Sequence, residues 1–143
     1  MGDDSSAGED LPAAYLAAHY KVTGTAKPFV LRVGHRSAEL ASMHLANGAN
    51  SSAFITAWNP RSVATSENLN RASQQRLESQ LTAMSLTFLA GIGEDPAGVW
   101  PGEPSALVLG ISRREAERVG RTFGQLAIVW SEEPAIPELV VLR

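Results

Sequence analysis

The chain of 143 residues contains no cysteine. Disulfide bonds, thiolate metal sites, iron–sulfur clusters and thiol catalysis are therefore excluded. Long apolar runs are missing as well, because no segment approaches the roughly eighteen apolar residues that a membrane-spanning helix requires. No basic segment followed by an apolar one stands at the amino end, which predicts a cytoplasmic protein with no membrane partner.

The chain also has little net charge, and most of it lies at one end. The formal charge is -3, and four of the fifteen acidic residues precede Lys21, the first basic residue. The other eleven acidic residues stand against twelve basic ones, so the rest of the chain carries about +1. Aromatic residues make up only 6% of the chain, and no basic stripe alternates with them. This composition argues against a nucleic-acid partner.

The first ten residues differ from the rest in composition. Residues 1–10 read MGDDSSAGED, which is acidic and polar without any apolar periodicity. Such a segment cannot bury enough apolar surface to offset the entropy lost on ordering, and we expect a disordered tail. The remaining length and a hydrophobic content of 44% fit one core. We therefore expect a single globular domain over residues 11–143.

Apolar periodicity predicts four helices and six strands. Helices are predicted at 11–20, 37–46, 66–84 and 112–123, and strands at 28–33, 52–58, 86–92, 105–111, 125–130 and 139–143. The uninterrupted apolar run at 105–111 is typical of a central strand covered on both faces. The order mixes crossovers with hairpins. We expect an α/β (α+β) fold, with three or four helices on a mixed sheet of five or six strands.

Two of the helices carry clear boundary signals. Ser112, with Glu115 three residues later, is a candidate capping box, and Gly124 is a candidate left-handed cap at the other end. Ser66 is the candidate cap of the longest helix. The predicted apolar stripe of that helix is Leu69, Leu77, Leu81 and Met84.

The stretch FITAWNPRS, residues 54–62, begins as a buried strand and ends as a polar turn. The predicted strand ends at Trp58. Pro60 then forces a turn, because it lacks a backbone donor and disfavours helical geometry in the residue before it. Loops that lead from a strand to the start of a helix are where α/β sheets commonly bind ligands.

Several side chains of this turn and of the following helix are candidates for ligand contact. Arg61 and Arg71 would help the positive end of the helix to hold a carboxylate or a phosphate. The alternative is that Asn59 and Ser62 bind the backbone of their own turn, as such residues commonly do.

AFITAWNP, followed by NLNR, EPSALVL and FGQLAIVW, resembles an uncharacterised bacterial family, domain of unknown function 3293 (DUF3293). The resemblance covers residues 15–142. It implies that the family's signature positions fall here on Thr56, Ala57, Trp58, Asn59, Pro60, Asn70, Glu103, Ser105, Gly124 and Gln125. The chain departs from the family pattern at Pro104 and at Ala106, where an aromatic residue is usual. The resemblance implies a family and no activity.

The polar signature positions permit two interpretations. The uncharged hydrogen-bonding residues among them are Thr56, Asn59, Asn70, Ser105 and Gln125. If their side chains converge, they form a pocket for a small polar molecule, with Trp58 or Trp130 as a stacking wall. The alternative is a buried polar network that fixes the register of the sheet and is satisfied internally.

Signals for catalysis are few. The segment GIGEDPAG at 91–98 has Pro96 where a dinucleotide-binding loop needs its third glycine. His35 and His44 lie nine residues apart and do not share a helical face, so we predict neither a metal site nor a cofactor. Glu103 is the one carboxylate of the signature and the candidate acid or base. Trp100 marks a rigid loop that covers either a pocket or the edge of the core.

Three classes of function remain. We favour a small module that binds a small polar or anionic molecule at the loop after the 52–58 strand. Its predicted binding residues are Thr56, Trp58, Asn59, Arg61, Ser62, Asn70, Arg71, Ser105 and Gln125. The first alternative is a protein–protein interaction module that uses the exposed edge strand at 139–143. The second is a metal-independent enzyme that uses Glu103.

Overall fold

A computed structural model describes residues 13–142, and the predicted tail at 1–10 lies outside the described residues. The first helical segment, α1, covers residues 13–17. It is followed by β1 (His19–Val22), β2 (Phe29–Leu31), α2 (Ala38–Ala46), β3 (Ser51–Ile55), a 3-10 turn (Pro60–Ser62), α3 (Glu67–Ala83), β4 (Thr87–Glu94), β5 (Glu103–Leu109), α4 (Arg113–Thr122), β6 (Ala127–Glu132) and β7 (Glu138–Val141).

The seven strands form one sheet in the order β2-β1-β4-β5-β3-β6-β7. The α+β fold and the single domain are confirmed, and β5 lies at the centre as its apolar run predicted. The expected mixture of strand directions is wrong, because every pairing is antiparallel. The crossovers through α3 and α4 do join parallel strands, but in each case an antiparallel strand is inserted between the two. β5 separates β3 from β4, and β3 separates β5 from β6.

The seventh strand, one more than expected, is β1. The sequence predicted a helix over 11–20, whereas the described helix ends at 17 and β1 begins at His19. Tyr20 and Val22 are buried while His19 and Lys21 are half-buried, which is the two-residue alternation of a strand. Only four residues carry this pattern, so it is masked by the helix-favouring alanines before it.

Serine caps set the starts of the three long helices. The Oγ atoms of Ser37, Ser66 and Ser112 each accept a bond from the backbone N–H three residues later, at 3.0 to 3.3 Å. The predicted caps Ser66 and Ser112 are thereby confirmed. Gly124 follows α4 with a φ of 69°, as predicted for a left-handed cap. A Cβ there would lie 3.0 Å from Pro60 Cβ, so the turn after β3 also packs tightly against this position.

Helices cover both faces of the sheet. Leu77 of α3 and Val119 of α4 pack with Ile55 and Val108 on one face. Leu40 of α2 packs with Phe54 and other residues on the second face. Complete burial of each such side chain contributes about 1.5–3 kcal/mol. None of the helices within residues 13–142 is both long enough and apolar enough to cross a membrane.

The buried stripe of α3 changes character along the helix. Leu77 and Leu81 are fully buried as predicted, but Leu69 is 63% exposed, so its place in the stripe was wrong. Asn70 and Gln74 occupy the buried side of the first two turns instead. The start of α3 therefore presents amide groups, rather than leucine, to the interior of the protein.

Candidate functional site

A cleft opens where β3 ends and where β5 and β6 begin. Antiparallel pairing places Ile55 opposite Ala106 and Phe54 opposite Val129. The end of β3 and the starts of β5 and β6 therefore lie side by side at the same end of the sheet. The start of α3, the helical segment α1 and the loop at 100–102 complete the wall. The cavity has a volume of about 1060 Å³, which is ample for a small molecule.

Most of the predicted binding residues lie at this cleft. Glu103 lines it, and so do eight of the nine predicted binding residues: Thr56, Trp58, Asn59, Ser62, Asn70, Arg71, Ser105 and Gln125. The ninth residue, Arg61, does not line it. The fold therefore brings these predicted polar positions to one cavity, and whether they bind a ligand stays a prediction.

The two arginines are not brought together. Arg61 lies in a smaller cavity beside Arg76 and Gly124, and its backbone N–H donates to the Gly124 carbonyl at 2.7 Å. Arg71 lines the cleft but forms an ion pair with Glu67, and the two side chains are 61% and 69% exposed. Since one cation faces elsewhere and the other is paired, the arginines do not form an anion-binding pair.

The turn after β3 is held in an unusual backbone conformation. β3 ends at Ile55 rather than at Trp58. Asn59, Arg61 and Ser62 have φ angles of 45°, 59° and 60°, in the left-handed region that costs a non-glycine residue about 1–2 kcal/mol. Such conformations persist only where the surroundings hold them.

Two asparagines stabilise the turn after β3 through hydrogen bonds. The backbone N–H of Asn59 donates to Asn70 Oδ1 at 2.8 Å, and Asn70 Nδ2 returns a bond to Asn59 Oδ1 at 2.8 Å. Asn59 Oδ1 also accepts from the backbone N–H of Thr65 at 3.0 Å. The side chains of both asparagines are therefore engaged within the turn, as the interpretation of a polar network predicted.

Three further signature residues bind the backbone around the cleft. Thr56 Oγ1 donates to the Pro104 carbonyl at 2.7 Å, and Ser105 Oγ donates to the Glu103 carbonyl at 2.9 Å. Gln125 Nε2 donates to the carbonyl oxygens of Trp58 and Phe123, both at 3.2 Å. These side chains position the strand ends that form the cleft.

Glu103 is the charged group that this network positions. Asn59 Nδ2 donates to Glu103 Oε2 at 3.1 Å. Among the residues that the structure describes, none donates to the other oxygen, Oε1. Burial raises the pKa of Glu103, and the hydrogen bond from Asn59 opposes part of that rise. The carboxyl group is thus oriented through Oε2, while Oε1 accepts from no residue that the structure describes.

Aromatic side chains form much of the apolar wall. Trp58 and Trp100 line the cleft, and both are half-buried. Tyr20 and Phe54 also line it and meet edge to face, with ring centroids 5.3 Å apart and planes at 70°. Trp130, the alternative stacking residue, is buried on the opposite face with α3 and α4.

The two tyrosines join α1 to the cleft. Tyr15 Oη and Ser62 Oγ lie 2.9 Å apart, and Tyr20 Oη donates to the Tyr15 carbonyl at 2.6 Å. Burial raises the pKa of both phenols, so they are protonated at neutral pH. Neither tyrosine was predicted as a site residue, because α1 and β1 were not separated in the sequence.

Gln74 is a further polar residue of the cleft that the sequence analysis missed. Its Oε1 accepts from the Ala57 N–H at 3.0 Å, while its Nε2 is buried with no partner among the described residues. A usable signal exists, since Asn70 and Gln74 extend the buried stripe of Leu77 and Leu81 backwards at helical spacing.

The cleft therefore offers hydrogen-bonding groups and aromatic surface rather than metal ligands. Within residues 13–142, no group of three histidine, aspartate or glutamate side chains is arranged to hold a metal ion. The groups that line it include the Glu103 carboxyl, the Gln74 amide, whose Nε2 is buried without a partner among the described residues, and the side chains of Trp58 and Trp100. This combination suits an uncharged or weakly basic organic molecule with a flat apolar part.

A protein-family model described as "Protein of unknown function (DUF3293)" matches residues 55–128. The match covers 74 of the 143 residues, just over half of the chain. It runs from the end of β3 to the start of β6 and so contains Glu103, Gln74 and the turn that carries Asn59. The comparisons with curated proteins and with solved structures give no match.

Proposed function

The chain belongs to the DUF3293 family, and we propose that it binds a small polar molecule in the cleft at the end of β3. One observation carries this proposal. Glu103 is held by Asn59 through one oxygen and lines an aromatic-walled cavity of about 1060 Å³. A carboxylate in that setting accepts hydrogen bonds from an N–H or O–H group of a ligand more favourably than it does in water.

The charges of the cleft favour a ligand that donates hydrogen bonds over an anion. Glu67, Glu78 and Glu103 all line the cavity, and Arg71 is the one arginine that does so within the described chain. Because Arg71 is paired with Glu67, a ligand carboxylate or phosphate would meet a net negative surface. The ligand that we propose is therefore polar, as the sequence predicted. The charges of the cleft do not favour the anionic ligand that the sequence also predicted.

Acid–base catalysis at Glu103 is the second candidate function. The observation that favours it is the raised pKa of Glu103 in a cleft beside two protonated tyrosines. A carboxyl group with such a pKa holds or releases a proton closer to neutral pH, as general acids and bases do. This enzyme would use the same binding site and requires no metal ion.

A thermal-unfolding screen tests the proposal. The compounds are neutral polar molecules, amines, carboxylates and phosphates, and the proteins are the wild type, Glu103→Gln and the control Glu39→Gln. Glu39 is an exposed carboxylate on α2. A ligand present at a hundred times its Kd adds about 2.7 kcal/mol, which shifts the Tm by several degrees.

The expected result is a stabilising neutral or amine compound whose effect is lost in Glu103→Gln and kept in Glu39→Gln. Two results contradict the proposal: the absence of any stabilising compound, or compounds that stabilise all three proteins equally.

We also propose that the protein is located in a bacterial cytoplasm. The support is the absence of cysteine, which suits a reducing compartment, and the resemblance to a bacterial family. Fractionation of cells with an antibody against the chain checks this location, and recovery in a secreted fraction would contradict it.

A further inference from the structure

Gly93 lies beside an empty part of the cleft. It is a buried residue of β4 and lines the cavity. A Cβ added to it would meet one heavy atom of the described chain, Tyr20 Cδ1 at 4.0 Å. Gly91 on the same strand differs, because a Cβ there would lie 2.7 Å from Cε2 of the Phe54 ring. Phe54 thus fills the space at Gly91, whereas the space at Gly93 can accept part of another molecule.

Tyr20 and Glu103 flank this space. Tyr20 pairs with Gly93 between β1 and β4, and Gly93 pairs with Glu103 between β4 and β5. Directly paired residues have Cα atoms about 5 Å apart and side chains on the same face of the sheet. Burial raises the pKa of Tyr20, and the charges of Tyr15 and Glu103 add smaller rises. The carboxyl group and the Tyr20 ring therefore border the same space from opposite sides.

The half-buried carboxyl group of Glu103 has no cationic partner in the described chain. It forms no ion pair with a lysine, arginine or histidine of residues 13–142, and its bond from Asn59 comes from an uncharged amide. Arg71, which also lines the cavity, is paired with Glu67. A carboxylate that is partly removed from water is stabilised by a nearby positive charge. A cationic group of a ligand would supply that charge.

The apolar wall on this face of the sheet is aromatic. Tyr20, Phe54 and Trp100 pack in the same hydrophobic cluster, and all three line the cavity. Aromatic rings attract a cation, and they also pack well against a flat apolar group. A carboxylate beside such rings is a suitable site for an amine that carries an aromatic substituent.

We infer that the ligand is a protonated amine with a flat apolar part, whose ammonium group donates to Oε1 of Glu103 and whose apolar part occupies the space at Gly93. This inference rests on the proposed function and names the ligand class of that same site. It also makes Gly93 the residue that admits the ligand, because any larger side chain would occupy this space.

Calorimetric titration with phenethylamine as the probe tests the inference. Phenethyl alcohol is a neutral compound of nearly the same shape, and phenylacetate has an anion in place of the ammonium group. Glu103→Gln removes the charge of the site and keeps its shape. Gly93→Ala fills part of the space and Gly93→Val fills more of it. Ala90→Val is the matched control, because Ala90 is exposed on the same strand and lies outside the cleft.

The wild type should bind phenethylamine at least about tenfold more tightly than phenethyl alcohol, and phenylacetate more weakly than either. In Glu103→Gln the preference for the amine over the alcohol should fall to about twofold or less, because the charged acceptor is lost. Gly93→Val should weaken phenethylamine binding by about tenfold or more, and Gly93→Ala by a smaller factor, since the added methyl groups take the place of the ligand. Ala90→Val should bind as the wild type does.

Circular dichroism checks that each variant folds. Alanine at position 93 has room for its Cβ, so Gly93→Ala decides the role of Gly93 if Gly93→Val does not fold. Phenethylamine affinity equal to that of the wild type in every folded Gly93 variant would overturn the position of the ligand. A preference for the amine that persists in Glu103→Gln would overturn the contact with Glu103.

Failure of this inference differs from failure of the proposed function. If phenethyl alcohol binds as tightly as phenethylamine, or if only neutral compounds of the thermal screen bind in a Glu103-dependent way, the ammonium group is wrong and the proposed function stands. Another amine of the screen that depends on both Glu103 and Gly93 would support the inference as phenethylamine does. If no compound binds at the cleft, both are wrong.

Discussion

The two ends of β3 both carry polar side chains, but one end is closed over the buried Ser52 and His44 and the other borders an open cleft. At the start of the strand, Ser51 Oγ donates to the Ile111 carbonyl at 2.7 Å. Ser52 Oγ and His44 Nε2 lie 2.8 Å apart, and both residues are at most 2% exposed. At the other end, the turn from Thr56 to Ser62 borders the open cleft.

The difference between the two ends lies in which hydrogen-bonding groups remain available. At the closed end the buried Ser52 and His44 satisfy each other, which is the pattern of a structural pair. At the open end Asn59 and Asn70 are also fully engaged, yet Glu103 Oε1 and Gln74 Nε2 have no partner in the described chain. The side chains of Asn59 and Asn70 therefore hold the cleft, whereas Glu103 and Gln74 each have one polar atom without a partner in the described chain.

The largest effect is expected from Asn70→Ala at the open end. This change leaves the Asn59 N–H and the Thr65 carbonyl without their partner and opens a small cavity, at a cost of about 2–4 kcal/mol in the free energy of unfolding. Urea denaturation measures it. Asn68→Ala is the matched control, because Asn68 is exposed on the same helix, and it should change stability by less than about 0.5 kcal/mol. Equal stability of the two variants would show that the network does not hold the turn.

Asn59→Ala should reduce stability and binding together. The change removes the anchor of Glu103 and the acceptor of the Thr65 N–H, and it leaves alanine at a positive φ. We expect a loss of about 1–3 kcal/mol in denaturation experiments, and weaker binding of any ligand that depends on Glu103. Lost binding with unchanged stability would instead show that Asn59 contacts the ligand and does not hold the turn.

The closed end should weaken in acid. Burial lowers the pKa of His44 from its ordinary value of 6.5, so below pH 6.5 the unfolded chain binds a proton that the native protein excludes. Stability should then fall with decreasing pH from 6.5 towards the native pKa of His44, by at most about 1.4 kcal/mol per pH unit. Above pH 6.5 His44 is mostly neutral in both the native and the unfolded state, so it no longer makes stability depend on pH.

Denaturation of the wild type and His44→Gln at pH 7.5 and pH 5.0 measures this slope. Between these two pH values the free energy of unfolding should fall less in His44→Gln than in the wild type. It should fall as much as in the wild type in His35→Gln, a change at an exposed histidine. Identical slopes for the three proteins would mean that folding does not lower the pKa of His44.

Glu103→Gln should change stability by less than about 1 kcal/mol while it abolishes ligand binding. Burial raises the pKa of Glu103, so the native protein binds this proton more tightly than the unfolded chain does. The free energy of unfolding should therefore fall as pH rises from 4.5 through the native pKa, and the variant should lack this fall. Denaturation at pH 4 and pH 7 checks the sign, and a variant that is strongly destabilised at pH 7 would make Glu103 a structural residue.

Arg71→Ala should have the smallest effect. Its ion pair with Glu67 is exposed, and such pairs contribute about 0.2–1 kcal/mol. Thermal denaturation should show a change within that range, and neutral compounds should bind as before. A large loss of binding would restore the anion-binding interpretation.

Local patterns in the sequence predicted the local features of the fold. The caps at Ser66, Ser112 and Gly124 and the apolar run of β5 depend on a few neighbouring residues, and they were predicted correctly. The insertion of β5 between β3 and β4 depends on long-range pairing that no local pattern contains, so the sheet was expected to be mixed. β1 was missed because its alternation covers only four residues.

The polar positions of the cleft were predictable, and their partners were not. Sequence order places Asn59 and Arg61 in one turn, but the side of the turn that each side chain occupies depends on the left-handed backbone at Asn59, Arg61 and Ser62. Gln74 was predictable in principle, because it continues the stripe of Leu77 and Leu81. An apolar pattern alone does not include it, because its buried side chain is an amide.

The most direct test is a fragment screen by nuclear magnetic resonance on the nitrogen-15-labelled protein, which reports on both ends of β3 at once. We predict that neutral, hydrogen-bonding ring compounds shift the backbone amides of residues 56–59, 102, 103 and 105 and leave those of residues 44–52 unchanged. Fragments that shift residues 44–52 instead, or a library in which none shifts residues 56–59, would contradict the claim that the open end is a binding site.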